Sequence, residues 1–119
     1  MSHTARSRRR WLYKIAIYVH TKYMYSLVCS DKKREQVRRD HGIDLAKIDD
    51  VFEDPFAVYI EDSYHSTETE TRFKAIGLSA PYGLVFVVFT HAADELRLIT
   101  ARRAENWMVK EYEENRKRL

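Results

Sequence analysis

Basic side chains in the second half of the chain have the types and spacing needed to hold a phosphate. Arg72 and Lys74 alternate along one predicted strand, so both point to the same face of a sheet. Arg97 lies in a later predicted strand, and Arg102 and Arg103 follow where that strand should end and the last helix begin. A guanidinium group binds two phosphate oxygens at once. If the strands are neighbours, all five cations can share one phosphate-binding surface.

The predicted position of Arg102 and Arg103 needs an explanation, because the start of a helix carries partial positive charge and disfavours cations. A salt bridge to a carboxylate within the fold is the more common explanation, and a bound phosphate is the other. A nuclease hypothesis requires Arg72, Arg102 and Arg103 to converge on one pocket rather than each pair with its own acidic neighbour.

The polar loop before Arg72 contains groups that transfer protons. His65, Glu68 and Glu70 lie in it, and His91 is a further candidate. In RNA cleavage the 2′-hydroxyl attacks the adjacent phosphate while a base and an acid move the protons, and arginine stabilises the added negative charge. Loops rich in His, Thr and Glu are common, so this pattern alone indicates no more than a candidate site.

Motifs of other enzyme classes do not occur in the sequence. There is no Gly-rich phosphate loop, paired C-x-x-C, H-E-x-x-H or G-x-S-x-G. We expect no metal site and no cofactor, because the five histidines are scattered, at His3, His20, His41, His65 and His91. The single cysteine, Cys29, excludes an internal disulfide, fits a reducing cytoplasm and is more typical of a small buried side chain than of a nucleophile.

The basic charge of the chain is concentrated at its N-terminus. The 119 residues fit one domain with a formal net charge of +3. Residues 1–23 carry six basic side chains and no acid, which leaves 15 basic and 18 acidic residues in 24–119. Net charge is therefore no evidence that the globular part binds nucleic acid. The apolar run near the N-terminus is too short and too polar to span a bilayer, so a cytoplasmic protein without membrane contact is expected.

Two helices are predicted in the first half of the chain. Asp31 and Gly42 bracket a charged helix over residues 32–41. A second helix should start at Asp44 and end at Asp54-Pro55, with a buried stripe formed by Leu45, Ile48, Val51 and Phe52. Residues 1–10 are interpreted as a basic arm, and residues 11–28 fit either a strand or a short amphipathic helix.

From Phe56 onward the apolar period changes to two, which predicts strands. They should cover 56–60, 72–79, 84–90 and 95–101, with 84–90 as a central strand covered on both faces. A helix is expected from about residue 102 to 118. The fold class is therefore α+β: two N-terminal helices, a three- to four-stranded antiparallel meander and a C-terminal helix, with the helices on one face of the sheet.

Three ordered segments resemble the BrnT toxin family. The stretch DKKREQVRRDHGIDLAKIDDVFEDPFA, from Asp31 to Ala57, is similar to its Asp-x-Lys helix, His-Gly-Ile end and Val-Phe-x-Asp-Pro helix. ETRFKAIG, residues 70–77, resembles its Glu-x-Arg-Phe-x-x-Ile-Gly strand. LRLITARRA, residues 96–104, followed by YEE, residues 112–114, resembles its Ala-Arg-Arg-Ala and Tyr-Glu-Glu ending. The resemblance covers about residues 24–115.

The resemblance implies a RelE-like ribonuclease that cleaves RNA without metal and is neutralised by a BrnA-like ribbon-helix-helix antitoxin. Operator DNA would be bound only through that antitoxin. The implied catalytic residues are Arg102, Arg103, Arg72, Glu70 and His65. Lys74, Arg97 and His91 are the predicted RNA-binding residues. Residues 24–119 would be the toxin domain, and residues 1–23 a basic extension, either a genuine arm or an artefact of start-site choice.

Departures from the family pattern leave two alternatives open. Phe89 stands where the family often has a histidine, and Met108 where it often has a glutamate. The first segment lacks the family's tryptophan, and the loop around His65 is one residue longer. The chain could therefore be an inactive module that only binds antitoxin and co-represses the operon. A direct nucleic-acid binder acting through the basic arm is the third hypothesis.

Overall fold

A computed structural model describes residues 26–92 and 95–118 of the chain. One mixed five-stranded sheet has the order β1-β5-β4-β3-β2. The strands are β1 (Ser26–Val28), β2 (Val58–Asp62), β3 (Thr71–Ser79), β4 (Gly83–Ala92) and β5 (Glu95–Arg103), and the α-helices are α1 (Asp31–His41) and α2 (Asn106–Arg118). The predicted basic arm, the alternatives for residues 11–25 and the boundary at residue 24 lie outside the described residues. No helix in the described ranges is long and apolar enough to cross a membrane.

The first predicted helix is confirmed with a different N-cap. Ser30 precedes the helix in extended conformation, and its hydroxyl accepts the N–H of Lys33 at 3.1 Å. Asp31 is the first residue of α1, where its charge favours the positive end of the helix. Gly42 ends the helix at φ 69°, and its N–H donates to the carbonyl of Arg38 at 2.9 Å.

The second predicted helix is wrong in type, although its buried stripe is correct. Two 3₁₀-helices, Leu45–Lys47 and Asp49–Glu53, occupy the segment. Leu45, Ile48 and Val51 are all at most 1% exposed. Their spacing of three matches the three residues per turn of a 3₁₀-helix, in which i and i+3 lie on one line. The sequence spacing was therefore compatible with both helix types.

A carboxylate holds the start of this segment. Asp44 accepts two hydrogen bonds from the guanidinium of Arg34, at 2.7 and 3.0 Å, and one from the backbone N–H of Ala46 at 3.0 Å. The Arg34 bonds, with the Ala46 N–H, lower the pKa of Asp44 to about 2. The backbone N–H of Asp44 donates to the Tyr82 hydroxyl at 3.0 Å. These contacts join α1 to the turn between β3 and β4.

The antiparallel meander β2-β3-β4-β5 is confirmed, and the predicted strand count is corrected to five. β1 adds to the far side of β5 in parallel, with Leu27 opposite Leu96. The sheet is therefore mixed, because α1 and the 3₁₀ segment intervene between β1 and the meander. Residues 26–28 of the segment left open between strand and helix are strand.

Helices cover both faces of the sheet rather than one. On the first face, which we call the core face, Val87 and Phe89 of β4 pack with Val37 of α1 and Phe52 of the 3₁₀ segment. On the second face, Phe86 packs in a separate cluster against α2. β4 is therefore covered on both sides, as its continuous apolar run predicted. The expectation of one covered face was wrong because β4 offers apolar side chains on alternate positions to both faces.

Close packing joins the 3₁₀ segment to the sheet. A Cβ on Gly77 would lie 2.7 Å from Val51 Cγ1, so only glycine allows this approach. Asp54 connects the same region to α2, since its Oδ2 accepts the hydroxyl of Tyr112 at 2.8 Å and the N–H of Leu78 at 2.9 Å. Burial, together with that carboxylate, raises the pKa of Tyr112.

The last helix begins at Asn106, later than predicted. Arg102 and Arg103 belong to β5 and pair with Phe86 and Val85 of β4. The N–H of Ala104 continues this pairing by donating to Leu84 O at 3.0 Å. The expected conflict between these arginines and a helix dipole therefore does not arise, because neither lies in a helix.

Candidate functional site

The second face of the sheet is apolar beneath α2 and basic beyond it. We call the basic part, formed by Arg72, Lys74, Arg97 and Arg102, the basic sheet face. Arg72 and Arg97 are both directly opposite Thr90, so they share one face and flank it on the two neighbouring strands. Neighbouring strands lie about 4.8 Å apart, which places the Cα atoms of these two arginines about 10 Å apart. The face thus presents cations on β3 and β5, on either side of β4.

A β-bulge in β5 decides which arginines share this face. Val88 pairs with Thr100 and Phe89 pairs with Leu98, which leaves Ile99 without an opposite residue. The extra residue reverses the alternation of β5, so Arg97 and Arg102 point to the same face although five positions separate them.

Arg103 consequently lies on the core face. Its guanidinium is 5.7 Å from the ring centroid of Tyr82, which packs against the core cluster. Four of the five predicted cations therefore share a surface. Arg102 and Arg103 cannot converge, because adjacent strand residues point to opposite sides. Arg72 and Arg102 share a face but lie opposite Thr90 and Phe86, four residues apart along β4. The convergence of Arg72, Arg102 and Arg103 on one pocket, which was expected of a nuclease, is therefore not found, and a site on this face has to depend on Arg72 without Arg103.

The four cations differ in how far acids neutralise them. Arg97 is 3.6 Å from Glu95, and Lys74 is 3.9 Å from Asp62. Arg72 has no ion pair within the described ranges, and its Nε–H is buried without a hydrogen-bond acceptor there. A buried donor without an acceptor is unusual in proteins. Arg72 is therefore the cation of this face that acids of the described residues neutralise least.

Arg102 has the salt bridge that the sequence analysis gave as the more common of its two explanations. Its Nη1 lies 3.0 Å from Glu105 Oε1, and its guanidinium sits 5.3 Å from the ring centroid of Phe86. The other oxygen of Glu105 accepts the indole N–H of Trp107 at 2.8 Å. Both partners of the ion pair are about half exposed, so water and ligands reach the charge. This pair is a surface salt bridge that partly neutralises one cation of the basic sheet face.

An aspartate–histidine pair borders the same face. Asp62 is opposite Arg72 in the β2–β3 ladder, and its Oδ2 lies 2.7 Å from His65 Nδ1. The Asp62 side chain is 10% exposed, whereas that of His65 is 53% exposed. Burial raises the pKa of Asp62, but hydrogen bonds from His65 and the charge of Lys74 outweigh it and leave the pKa lowered. An ionised Asp62 is acceptor-only, so His65 Nδ1 carries the proton and Nε2 is the exchangeable atom.

The loop that carries His65 is tied to β3. Ser66 Oγ donates to the carbonyl of Asp62 at 2.7 Å and accepts the backbone N–H of Arg72 at 2.9 Å. Thr67 N donates to Glu70 O at 2.8 Å. Glu70 is half buried at the entrance to β3, and its carboxylate has no ion pair or hydrogen bond with the described part of the chain. The loop therefore places His65 and Glu70 at the same end of the basic sheet face as Arg72.

His91 lies on the core face. It pairs with Leu96, a buried core residue, and its ring centroid is 6.5 Å from that of Phe73. His91 and Phe89 share a face, as their parity predicts, and the sheet separates both from Arg72. Phe89 itself is fully buried among the rings of Phe52, Tyr59 and Phe73, and Met108, the other departure, is also fully buried.

Sequence reasoning missed Asp62, Thr90, Glu105 and Trp107. Asp62 carried a usable signal, because a carboxylate three residues before a histidine can accept its Nδ1 proton within one turn. The role of Glu105 depended on where β5 ends, which the sequence misplaced. Within residues 26–92 and 95–118, no group of three or more His, Cys, Asp and Glu side chains is placed to hold a metal ion.

Comparison with known proteins agrees with this fold. A family model described as the ribonuclease toxin BrnT of type II toxin–antitoxin systems matches residues 30–106. The crystal structure of the Brucella abortus ribonuclease toxin BrnT is similar to the chain, with a TM-score of 0.54 and 21% identity. The match covers 69% of this chain and 99% of that toxin, and at this identity it shows a shared fold. No curated protein sequence matches the chain.

The family match includes α1, the 3₁₀ segment, all of β2 to β5 and the start of α2, and therefore every residue of the basic sheet face. The chain belongs to the BrnT ribonuclease toxin family of type II toxin–antitoxin systems.

Proposed function

We propose that this protein cleaves RNA on the basic sheet face. The observation that supports it most strongly is the placement of Arg72, Lys74, Arg97 and Arg102 on one face, next to an Asp62–His65 pair. Side chains from β3 and β5 provide positive charge for the phosphates, and the 62–70 loop provides groups that move protons. This combination matches what phosphodiester cleavage by the 2′-hydroxyl requires.

His65 is the proposed proton-transfer residue. The 2′-hydroxyl attacks the neighbouring phosphorus, a new oxygen–phosphorus bond forms, and the bond to the 5′-oxygen of the next nucleotide breaks. A base takes the 2′-hydroxyl proton and an acid protonates the departing 5′-oxygen. His65 Nε2 can serve as one of these groups and Glu70 as the other, since both flank the same end of the face. Asp62 holds the imidazole by its Nδ1.

Arg72 is the proposed transition-state residue. Its backbone N–H donates to Ser66 of the loop, and its guanidinium, which has no ion pair with the described residues, would stabilise the additional charge on the pentavalent phosphate. Lys74, Arg97 and Arg102 would contact flanking phosphates and hold the strand in place. Arg103 and His91 are not assigned direct contact with the substrate, because the sheet separates them from this face.

Cleavage by this route needs no metal, because guanidinium groups provide the charge and an imidazole moves the proton. The test is digestion of labelled RNA by the purified protein in EDTA, beside the same sequence with 2′-deoxyribose at every position. RNA should be cut and the deoxy strand should stay intact, and Arg72→Ala should lose most of the activity. Loss of cleavage in EDTA, or equal rates for Arg72→Ala and wild type, would count against the proposal.

Membership of a type II toxin–antitoxin family implies an antitoxin partner. We expect a BrnA-like ribbon-helix-helix protein that binds operator DNA and brings the toxin to it. A RelE-like fold, a cytoplasmic location and a toxin domain of residues 24–119 complete the proposal. A neighbouring reading frame for a short ribbon-helix-helix protein, and co-purification of its product, would test the partner. Deletion of residues 1–23 should leave RNA cleavage unchanged.

A second candidate function is an inactive module that only binds the antitoxin and represses the operon. The pairing of Arg102 with Glu105 and the placement of Arg103 on the core face favour it, because both reduce the charge available to a phosphate. Expression without antitoxin separates the two candidates. Growth arrest supports the nuclease, and harmless accumulation of folded protein supports the inactive module.

A further inference from the structure

Two exposed aromatic rings flank the basic sheet face at its opposite ends. Tyr64 is 89% exposed in the loop after Asp62, and Trp107 is 52% exposed just after Arg102. A single exposed ring is common on a protein surface, so it is the position of these two rings next to residues of the site that makes them candidates for binding. Tyr64 comes two residues after Asp62, which borders the basic sheet face, and Trp107 comes five residues after Arg102, which belongs to it.

Each ring contacts a polar residue of the site. The Tyr64 ring lies edge-on to the imidazole of His65, with centroids 5.1 Å apart. The indole N–H of Trp107 donates to Glu105, whose other oxygen binds Arg102. This hydrogen bond engages the edge of the indole, so the flat faces stay available for stacking. An exposed aromatic ring beside a phosphate-binding cation is an arrangement that binds unpaired nucleotides.

The separation of the rings indicates how the ligand must be arranged. Tyr64 follows Asp62, which lies in line with Arg72 and Thr90 across the strands. Trp107 follows Arg102, which lies opposite Phe86, and Phe86 is four residues from Thr90 along β4. At about 3.3 Å per strand residue, the rows are about 13 Å apart. This is several times the rise of about 3.4 Å per nucleotide in a duplex. Bases that stack on the two rings therefore come from separate nucleotides of an open strand.

We propose that Tyr64 and Trp107 are stacking sites for two unpaired bases of a single-stranded RNA that lies along the basic sheet face. The proposal rests on the proposed function, because it concerns the substrate of the same surface. A paired duplex keeps its bases inside the helix and has none to offer to either ring. The substrate class is therefore single-stranded RNA or an unpaired loop, with phosphates on the arginines and bases on the rings.

The test uses short 2′-O-methyl RNA, which cannot be cleaved because its 2′-oxygen is blocked. Trp11→Phe leaves Trp107 as the sole tryptophan of the full-length chain. Its fluorescence and the anisotropy of a labelled strand report binding of three probes: a single strand, the matching duplex and an abasic strand of equal length. We expect tryptophan quenching by the single strand, and little by the duplex or the abasic strand.

Single-strand affinity should fall about tenfold in Tyr64→Ala and in Trp107→Ala, in line with the contribution of one stacked base. Abasic-strand affinity should not change in either variant. Leu78→Ala is the matched control for Trp107→Ala, because Leu78 is exposed to the same extent, at 51% against 52%, but has no ring for stacking. Trp107→Phe should restore most of the lost affinity, since it keeps an aromatic face. Circular dichroism melting of each variant verifies that it is folded.

Several outcomes overturn the inference and leave the proposed function intact. In the first, Arg72→Ala weakens binding while both aromatic variants bind the single strand like wild type. In the second, abasic or duplex probes bind as tightly as the single strand. In the third, Trp107→Ala keeps RNA affinity but loses co-purification with the antitoxin, which would assign the ring to a protein interface. If wild type binds no probe and cleaves no RNA, the proposed function itself fails.

Discussion

The two faces of the sheet come from the same strands but have opposite roles. On the core face, the side chains of β3, β4 and β5 are buried under α1 and the 3₁₀ segment. On the second face, α2 covers the cluster around Phe86, and Arg72 and Arg97 lie beyond that cluster, on either side of the buried Thr90. Successive residues of a strand point to opposite faces, so one contributes to the stability of the core and the next to the candidate site. Neighbouring residues in sequence provide matched tests of this division.

The largest expected effect is on the core face. Phe89 is fully buried, and its ring contacts those of Phe52, Tyr59 and Phe73. Phe89→Ala should lower the free energy of unfolding by about 3–5 kcal/mol, because it removes apolar contacts and leaves a cavity. Val88→Ala, on the half-buried opposite face, should cost about 1 kcal/mol. Urea unfolding of both variants measures the contrast, and equal losses would refute the division between the faces.

The second contrast concerns the arginines of the two faces. Arg72→Ala should reduce the rate of RNA cleavage about a hundredfold, as expected for loss of a group that stabilises transition-state charge. Arg103→Ala should change the rate less than about threefold, because its guanidinium lies over Tyr82 on the core face. Single-turnover kinetics on one labelled RNA measures both rates. A larger loss in Arg103→Ala would mean that the substrate contacts the core-face side instead.

The third prediction concerns the acid limit of stability. The folded-state pKa of Asp44 is about 2, against an ordinary value of 3.8. A lowered pKa stabilises the folded state above pH 4, and this contribution disappears as the pH falls from about 4 to 2. Asp44→Asn should lose about 2 kcal/mol at neutral pH, a typical value for hydrogen bonds to a charged group. The difference from wild type should shrink toward pH 2 in thermal unfolding, and a constant difference would contradict the role given to its charge.

The smallest effect is expected for the residue that positions His65. Asp62→Asn should lower kcat roughly tenfold with KM little changed, a part of the ~10²-fold that a positioned acid or base contributes. Nitrogen NMR of the imidazole should show less of the Nδ1–H tautomer, because the introduced amide can donate to Nδ1 as well as accept from it. An unchanged tautomer together with an unchanged kcat would show that Asp62 is only a structural partner of the loop.

Much of the fold followed from local patterns. The α1 boundaries, the meander and the central position of β4 depend on caps, turns and periodicity, which act within a few residues. The 3₁₀ segment and the start of α2 were misassigned because their ends depend on long-range pairing, such as the bond from Ala104 N to Leu84 O. For the site, Arg72 and Lys74 were placed together correctly on one strand face. The partners of His65 and Arg102 were not identified, because they depend on loop and strand-end geometry.

The sequence by itself determined which residues are cationic, the order of the elements and the family pattern, because composition, period and motif spacing are properties of the chain. Only the tertiary structure decided which cations meet. The unpaired Ile99 reverses the alternation of β5, so Arg97 and Arg102 join Arg72 while Arg103 lies on the opposite side. A bulge depends on how two strands pair, and simple alternation along β5 would have placed Arg97 with Arg103 instead.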